Sequence, residues 1–250
     1  KARNDLHDHL KLADCYVGLK EVAKAVDEYV YVGDEYAHDG FYDRAIAVLG
    51  KAKRLNPMDD TLPAKLEKYT QAKKLEEKRT KAQQSFLEGL ERDTEKRGTG
   101  VVEFQTIWSA LSKERIVQEL DEEQVALLFK GVQVVYLKRG EVLVERGARH
   151  DALYIVVSGV LSASIQDEND VDVTVRNFGP GHVVGDRALF QKSPWPATYH
   201  ASDRGTVLRL DQEGLEVCLT GNPDPRGFLG VLRRQGNDAE VTQIVAKMES

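Results

Sequence analysis

The hydrophobic period of this chain changes near Val132, and that change most constrains its fold. Before it, apolar residues recur at spacings of three and four, the pattern of amphipathic helices. After it, short segments rich in β-branched residues alternate with glycine and Asp/Asn turns. About seven or eight such segments within roughly 80 residues predict a closed barrel or jelly roll.

The chain is therefore predicted to be an α + β protein of two domains. Residues 1–97 are expected to form antiparallel helical hairpins followed by a long linker helix. Residues 98–250 are expected to form the β-barrel or jelly roll with flanking helices. We place the boundary at Gly98-Thr99-Gly100, because paired glycines interrupt helices. A length of 250 residues suffices for two hydrophobic cores.

Composition indicates a folded, soluble protein, with 41% hydrophobic and 30% charged residues. No apolar run approaches the roughly 20 residues that span a bilayer, and no secretory signal is visible. Cys15 and Cys218 lie far apart in dissimilar segments, so free thiols are expected rather than a disulfide framework. These observations predict a cytoplasmic protein without membrane insertion.

The net charge of −6 is unevenly distributed. Residues 1–97 carry 19 basic and 19 acidic side chains, so the whole imbalance lies in residues 98–250. An acidic domain repels nucleic-acid phosphates, which argues against a polymeric nucleic-acid partner. A single small anion in a local pocket remains compatible with this charge.

The helical region contains two clear interruptions, Gly18-Leu19 and His38-Asp39-Gly40. Helices of roughly 12–18 residues between such breaks stack as antiparallel hairpins. The stretch from Thr61 to about Glu95 is highly charged with sparse apolar residues, and we interpret it as one long connecting helix exposed to solvent.

Residues 26–59 carry a spaced set of small, aromatic and apolar residues that resembles a tetratricopeptide repeat: Tyr29, Val32, Gly33, Tyr36, Gly40, Tyr42, Ala45, Leu49, Ala52 and Pro57. The resemblance implies a surface for a protein partner. The candidate partner-binding residues are Tyr29, Gly33, Tyr36, Tyr42 and Ala45. The alternative is a helical stalk without a binding groove.

The stretch from about Ala110 to Leu219 resembles the cyclic nucleotide-binding domain. The resemblance rests on glycine turns in order: Arg139 to Val142, Glu145 to Gly147, Leu153 to Gly159, and Gly179 to Gly181 followed by Val184-Gly185. One such glycine would be weak support, but five in order with the strands between them are specific. We call residues 181–198 the cassette, because in that family the matching segment holds the phosphate.

The resemblance implies how a cyclic nucleotide would bind. A Glu accepts a hydrogen bond from the ribose 2′-hydroxyl, backbone amides hold the cyclic phosphate, and an Arg pairs with its charge. The candidate ligand-binding residues here are Gly185, Asp186, Arg187, Ala188, Leu189, Trp195, Ala197 and Thr198.

Three residues depart from the family pattern. Asp186 replaces the Glu with a shorter carboxylate, Trp195 stands where the Arg should be, and Pro196 lacks the next N–H donor. A charge-assisted hydrogen bond contributes about 1.5–3 kcal/mol, so its loss predicts binding weaker by about tenfold or more. Three alternatives stay open: a scaffold whose pocket Trp195 fills or covers, a cyclic-nucleotide site with Arg187 as substitute cation, or a different flat ligand stacked on Trp195.

Other chemistry is sparse. The chain has no phosphate loop ending in Lys, no cysteine cluster of metal spacing and no nucleophile motif, so no catalytic residue, metal or cofactor is predicted beyond a possible cyclic nucleotide. His7 and His9 lack further ligands at helical spacing and are interpreted as surface residues. The predicted function is a non-enzymatic, regulatory signalling adaptor: the helical repeats bind a protein partner, and the barrel acts as a degenerate sensor or docking domain. The alternative is a genuine second-messenger receptor in which ligand binding regulates partner binding.

Overall fold

The computed structural model describes residues 2–90, 100–167 and 170–249. The chain divides into two compact units, which we call the helical unit (1–77) and the barrel unit (78–250). The division lies inside a long helix, α4 (Thr61–Leu90). The predicted boundary at 97/98 falls outside the described residues and stays a prediction, as does the extension of the long helix to Glu95.

The helical unit is built from α1 (Ala2–Gly18), α2 (Val22–His38), α3 (Tyr42–Leu55) and the first part of α4. The helices end at the two predicted interruptions, and α2 packs against both α1 and α3. The prediction of a helical N-terminal region is confirmed, while its relation to the tetratricopeptide repeat stays a prediction.

Close packing of α2 on α3 explains the small residues of the motif. A Cβ at Gly33 would lie 2.9 Å from Leu49 Cγ, so glycine lets the two helices approach. Tyr29, Gly33 and Ala45 are buried in this contact, so these three candidate residues support the surface rather than form it. Tyr36 and Tyr42 are half-buried and reach the surface.

The helices of the barrel unit pack around an aromatic cluster. Before the strands come α5 (Gly100–Leu111), α6 (Arg115–Gln118) and α7 (Glu122–Gly131), and after them α9 (Gln212–Leu219), α10 (Pro225–Gln235) and α11 (Asp238–Met248). Phe86 of α4 contacts Phe104 of α5 and Phe129 of α7. Trp108 of α5 contacts the same two rings, and the ring centroids are 5.5–6.2 Å apart along the cluster.

The described strands form two four-stranded antiparallel sheets, with orders β1-β8-β3-β6 and β2-β7-β4-β5. Their bounds are β1 Gln133–Leu137, β2 Val142–Val144, β3 Ala152–Ser158, β4 Leu161–Gln166, β5 Asp172–Phe178, β6 Val183–Val184, β7 Thr198–Ala201 and β8 Gly205–Asp211. A short helix, α8 (Asp186–Gln191), follows β6. The predicted C-terminal β domain with flanking helices is confirmed, and its core lies between the two sheets.

Candidate functional site

The cassette begins where β6 meets α8, at a glycine that no other residue could replace without strain. Gly185 has φ +87°, in the left-handed region, and forms the N-cap of α8. A Cβ there would overlap the carbonyl oxygen of Ala152 and lie 2.7 Å from Trp195 Cη2. The backbone of Gly185 therefore lies directly against β3 and the tryptophan ring.

Trp195 is held at the far end of the cassette by its backbone and its indole N–H. Its carbonyl accepts from Gly147 N at 2.9 Å and its N donates to Ala148 O at 3.1 Å. Indole Nε1 donates to His150 O at 3.0 Å, so the one polar atom of this buried ring is satisfied. The side chain is consequently fixed in one position.

The indole ring of Trp195 points into the barrel. It is 1% exposed and packs against Tyr154 and Tyr199, with ring centroids 6.0 Å and 5.0 Å away. Its far edge reaches Gly185. The ring therefore occupies space inside the barrel beside the start of α8, and its faces pack on the core rather than on a ligand in solvent.

A second carboxylate, Asp238, lies on the cassette backbone. Asp238 Oδ1 accepts from Gly185 N at 2.9 Å, and Oδ2 accepts from Arg187 N at 3.1 Å. In return, Asp238 N donates to Asp186 Oδ1 at 3.1 Å. Two of the backbone amides that open the cassette are thus bonded to an acidic side chain of α11.

Burial is the largest cause of the pKa shifts of Asp186 and Asp238. Desolvation, and then the charge of Asp238, raise the pKa of Asp186 to about 6. Desolvation also raises the pKa of Asp238, although the amides of Gly185 and Arg187 oppose that shift. Both groups therefore hold a proton more readily than an exposed aspartate does.

Arg187 forms its side-chain hydrogen bonds within the protein. Its guanidinium donates to Thr242 Oγ1 at 3.1 Å and to Gln191 Oε1 at 3.4 Å, so it points along α11. Ala188 and Leu189 are buried, and Leu189 N donates to Gly185 O within α8. Arg187 as a substitute cation stays one of the open alternatives, and its guanidinium would have to leave Thr242 and Gln191 to meet a phosphate.

The last two candidate ligand residues serve the barrel. Ala197 is fully buried in the core. Thr198 Oγ1 accepts from Arg146 N at 3.1 Å, which ties the end of the cassette to the turn after β2. All eight candidate residues belong to one segment of the sequence. Gly185, Asp186, Arg187, Trp195 and Thr198 all form hydrogen bonds within the protein.

Helix α11 covers the cassette and completes the barrel core. Val241 and Val245 are buried in the same cluster as Trp195. Glu240 forms an ion pair with Arg176 of β5, and Glu249 bonds Arg146 at 2.7 Å. The sequence did not predict the role of Asp238. An Asp in the first turn of a helix is ordinarily explained by the favourable interaction of its carboxylate with the dipole of that same helix.

A groove of about 430 Å³ remains on the outside of this assembly. It lies between the cassette and α11, and its walls include Arg146, Arg187, Pro194, Thr242 and Val245. Both arginines are already bonded to α11 or the residue after it, Arg146 to Glu249 and Arg187 to Thr242. Trp195 and Pro196 also line this groove, so it borders the tryptophan residue whose ring packs in the barrel core.

Metal-binding clusters and membrane-spanning helices are both absent among the described residues. Among the residues that the structure describes, no group of three or more His, Cys, Asp or Glu side chains is arranged to hold a metal ion. None of the described helices is long and apolar enough to cross a membrane.

Comparison with protein families identifies the barrel. Residues 134–222 match the family model described as "Cyclic nucleotide-binding domain". The second half of this chain contains a cyclic nucleotide-binding domain. The match begins in β1 and ends just after α9, so it includes both sheets and the whole cassette.

The chain matches short parts of longer proteins. The chain is 40% identical over 63 residues to lysophospholipase nte1 of Emericella nidulans, covering 25% of this chain and 4% of the relative. It is 26% identical over 106 residues to a cAMP-dependent protein kinase regulatory subunit of Blastocladiella emersonii, covering 42% and 26%. It therefore spans about a quarter or less of the length of either relative.

Among solved structures, the N-terminal domain of a transcriptional regulator from Streptomyces coelicolor A3(2) is similar to this chain, with a TM-score of 0.44 and 26% identity. That likeness covers 56% of this chain and 94% of the other.

Proposed function

We propose that this chain is a non-enzymatic, regulatory signalling adaptor, in which the cyclic nucleotide-binding domain serves as a docking scaffold rather than as a cyclic-nucleotide receptor. One observation carries the proposal: Trp195 stands at the position of the phosphate-pairing arginine, and its ring fills the barrel beside Gly185. A cyclic nucleotide would have to displace a fully buried indole and would gain no cation in return.

Two further features support the loss of the family's ligand. Pro196 offers no N–H to a phosphate. The amides of Gly185 and Arg187 are bonded to Asp238, whose negative charge would repel a phosphate in the same place. Charge-assisted bonds to phosphate contribute about 1.5–3 kcal/mol each, so these losses together predict binding weaker by several orders of magnitude.

The proposal predicts that the full chain does not bind cyclic nucleotides. Isothermal titration with cyclic AMP, cyclic GMP and cyclic dinucleotides up to about 1 mM should give only heats of dilution, because a dissociation constant above that value corresponds to less than about 4 kcal/mol of binding. Micromolar binding that disappears in Asp186→Ala would overturn the scaffold proposal.

The alternative function is a genuine second-messenger receptor. The family match over residues 134–222 favours it, as does the cAMP-dependent regulatory subunit among the relatives. A carboxylate also remains at the ribose position, in Asp186. The same titration separates the two functions.

In the proposed adaptor, the helical unit binds a protein partner in the cytoplasm through a tetratricopeptide-like surface. Tyr36 and Tyr42 are the candidate residues that reach this surface, and the guanidinium of Arg44 lies 5.8 Å from the ring centroid of Tyr36. Half-buried aromatic rings of this kind are frequent in protein interfaces because they bury a large area at low entropic cost.

Substituting both tyrosines should therefore weaken partner capture. We expect Tyr36→Ala with Tyr42→Ala to reduce recovery of a specific partner at least tenfold in a quantitative pull-down, since aromatic anchors often contribute about 2 kcal/mol or more. Deletion of residues 1–60 should abolish it. Met58→Ala, at a position 87% exposed in the following turn, is the control. Equal capture by all four chains would contradict the adaptor role.

A further inference from the structure

The contacts between α11 and the cassette resemble those of a bound ligand, although they belong to the chain itself. A single carboxylate, Asp238, accepts from two amides at the start of α8, Gly185 N at 2.9 Å and Arg187 N at 3.1 Å. Asp238 is 1% exposed, so this contact is sealed from solvent. Hydrogen bonds from two N–H groups to one carboxylate are charge-assisted and therefore strong.

The hinge before α11 is built to bring Asp238 to this position. Asn237 N donates to Val183 O at 3.1 Å, and its side-chain amide donates to the same carbonyl at 2.7 Å. Gly236 lies so close to Asp186 that a Cβ there would overlap the carboxylate. The hinge therefore holds the first turn of α11 against the end of β6.

The weak point of this assembly is a pair of like charges, the buried Asp238 and the half-buried Asp186. Asp186 and Asp238 interact directly, and the guanidinium of Arg187 is turned toward Thr242 and Gln191. Arg176 of β5 is paired with Glu240 of α11 rather than with either aspartate. Two ionised carboxylates in such a site repel each other, and one of them is more stable when protonated.

Tyr199 of β7 is a buried neutral group beside this pair. The residue is 0% exposed, and its hydroxyl interacts with the carboxylate of Asp238. Burial and the charges of Asp238 and Asp186 raise the pKa of Tyr199, so its hydroxyl stays protonated. A neutral donor beside two carboxylates cannot cancel their repulsion.

We propose that α11 is a proton-controlled latch: it closes the cassette by placing Asp238 on the amides of Gly185 and Arg187, and its closure weakens when both Asp186 and Asp238 are ionised. Release would expose the cassette together with Val241 and Val245, which are buried in the latched state. The latch needs neither a nucleotide nor a protein partner, so it does not depend on the proposed adaptor role.

The direction of the pH effect follows from the environment of the pair. Burial raises the pKa of both carboxyls, that of Asp186 to about 6, so the latched state binds protons more tightly than the released state. Latching is therefore favoured at low pH and loses stability as the pH rises from about 4 through about 6. For Asp186 alone, the ratio of latched to released chains should fall about tenfold between pH 5 and pH 8.

Amide hydrogen exchange on the full chain tests this directly. Protection factors of Gly185 and Arg187, corrected for the intrinsic pH dependence of exchange, should be about tenfold lower at pH 8 than at pH 5. Protection that is equal at the two pH values would overturn the proposal without any variant being made. Because no nucleotide is added, this result is separate from the titration that tests the scaffold function.

Two substitutions sharpen the test. Asp186→Asn keeps an acceptor for Asp238 N but removes one charge, so it should flatten the pH profile and raise protection at pH 8 about tenfold. Glu249→Gln is the matched control at the other end of α11, where it breaks only an exposed pair with Arg146 and should leave the profile unchanged. An unchanged profile in Asp186→Asn, or the same flattening in Glu249→Gln, would refute the latch.

Discussion

Replacing Trp195 with alanine should lower the free energy of unfolding of the barrel unit by about 3–5 kcal/mol, the range found when a large aromatic is removed from a packed core. The indole is 1% exposed and contacts Tyr154, Tyr199 and the backbone of Gly185, so its removal leaves a cavity that the rigid strands around it cannot close. Its hydrogen bond to His150 O is lost as well.

Chemical denaturation followed by the fluorescence of Trp108, then the remaining tryptophan, would measure this loss. Trp195→Phe should cost less, because a ring still fills most of the space. Val142→Ala, at a position 50% exposed on β2, should change stability by only about 0.5 kcal/mol. A loss below about 1 kcal/mol in Trp195→Ala would mean that the indole does not fill the barrel.

A methyl group at Gly185 should be nearly as damaging. Gly185→Ala forces a non-glycine residue into φ +87° and pushes Cβ into the carbonyl oxygen of Ala152 and the ring of Trp195. The left-handed conformation costs about 1–2 kcal/mol and overpacking about 1–3 kcal/mol, so we expect a loss of about 2–5 kcal/mol.

Gly140→Ala separates these two contributions. Gly140 has φ +79°, and among the described residues no atom lies within 4 Å of the position that a Cβ would take. Only the conformational cost should therefore appear there, about 1–2 kcal/mol. The difference between the two variants in urea denaturation measures how tightly the cassette packs on β3 and Trp195. Equal losses at both positions would show that the start of the cassette is loosely packed.

The periodicity of the sequence was enough to predict the architecture. Helical spacing upstream of Val132 and short β-branched segments after it are local patterns, and the structure places helices and two sheets where they indicate. Both predicted interruptions end helices: Gly40 takes the left-handed conformation after α2, with φ +79°, whereas after α1 the left-handed residue is Lys20, with φ +60°.

The sequence also located the cassette, but not what occupies it. Trp195 and Pro196 are visible as departures from the family pattern, and their chemistry alone removes a cation and a donor. Whether the indole fills the barrel or covers it depends on the direction of one side chain, which β3, β7 and the turn after β2 decide together through Tyr154, Tyr199 and Gly147.

No local sequence pattern predicts that Asp186 and Asp238 lie next to each other. These residues are 52 positions apart, and nothing in the first turn of an amphipathic helix distinguishes an Asp that complements its own helix from one that bonds the amides of another. The sequence by itself determined which segments become helices and strands, because those choices depend on near neighbours along the chain. Only the tertiary structure decided that α11 lies across the cassette, because that contact depends on how the hinge at Gly236 and Asn237 docks against β6.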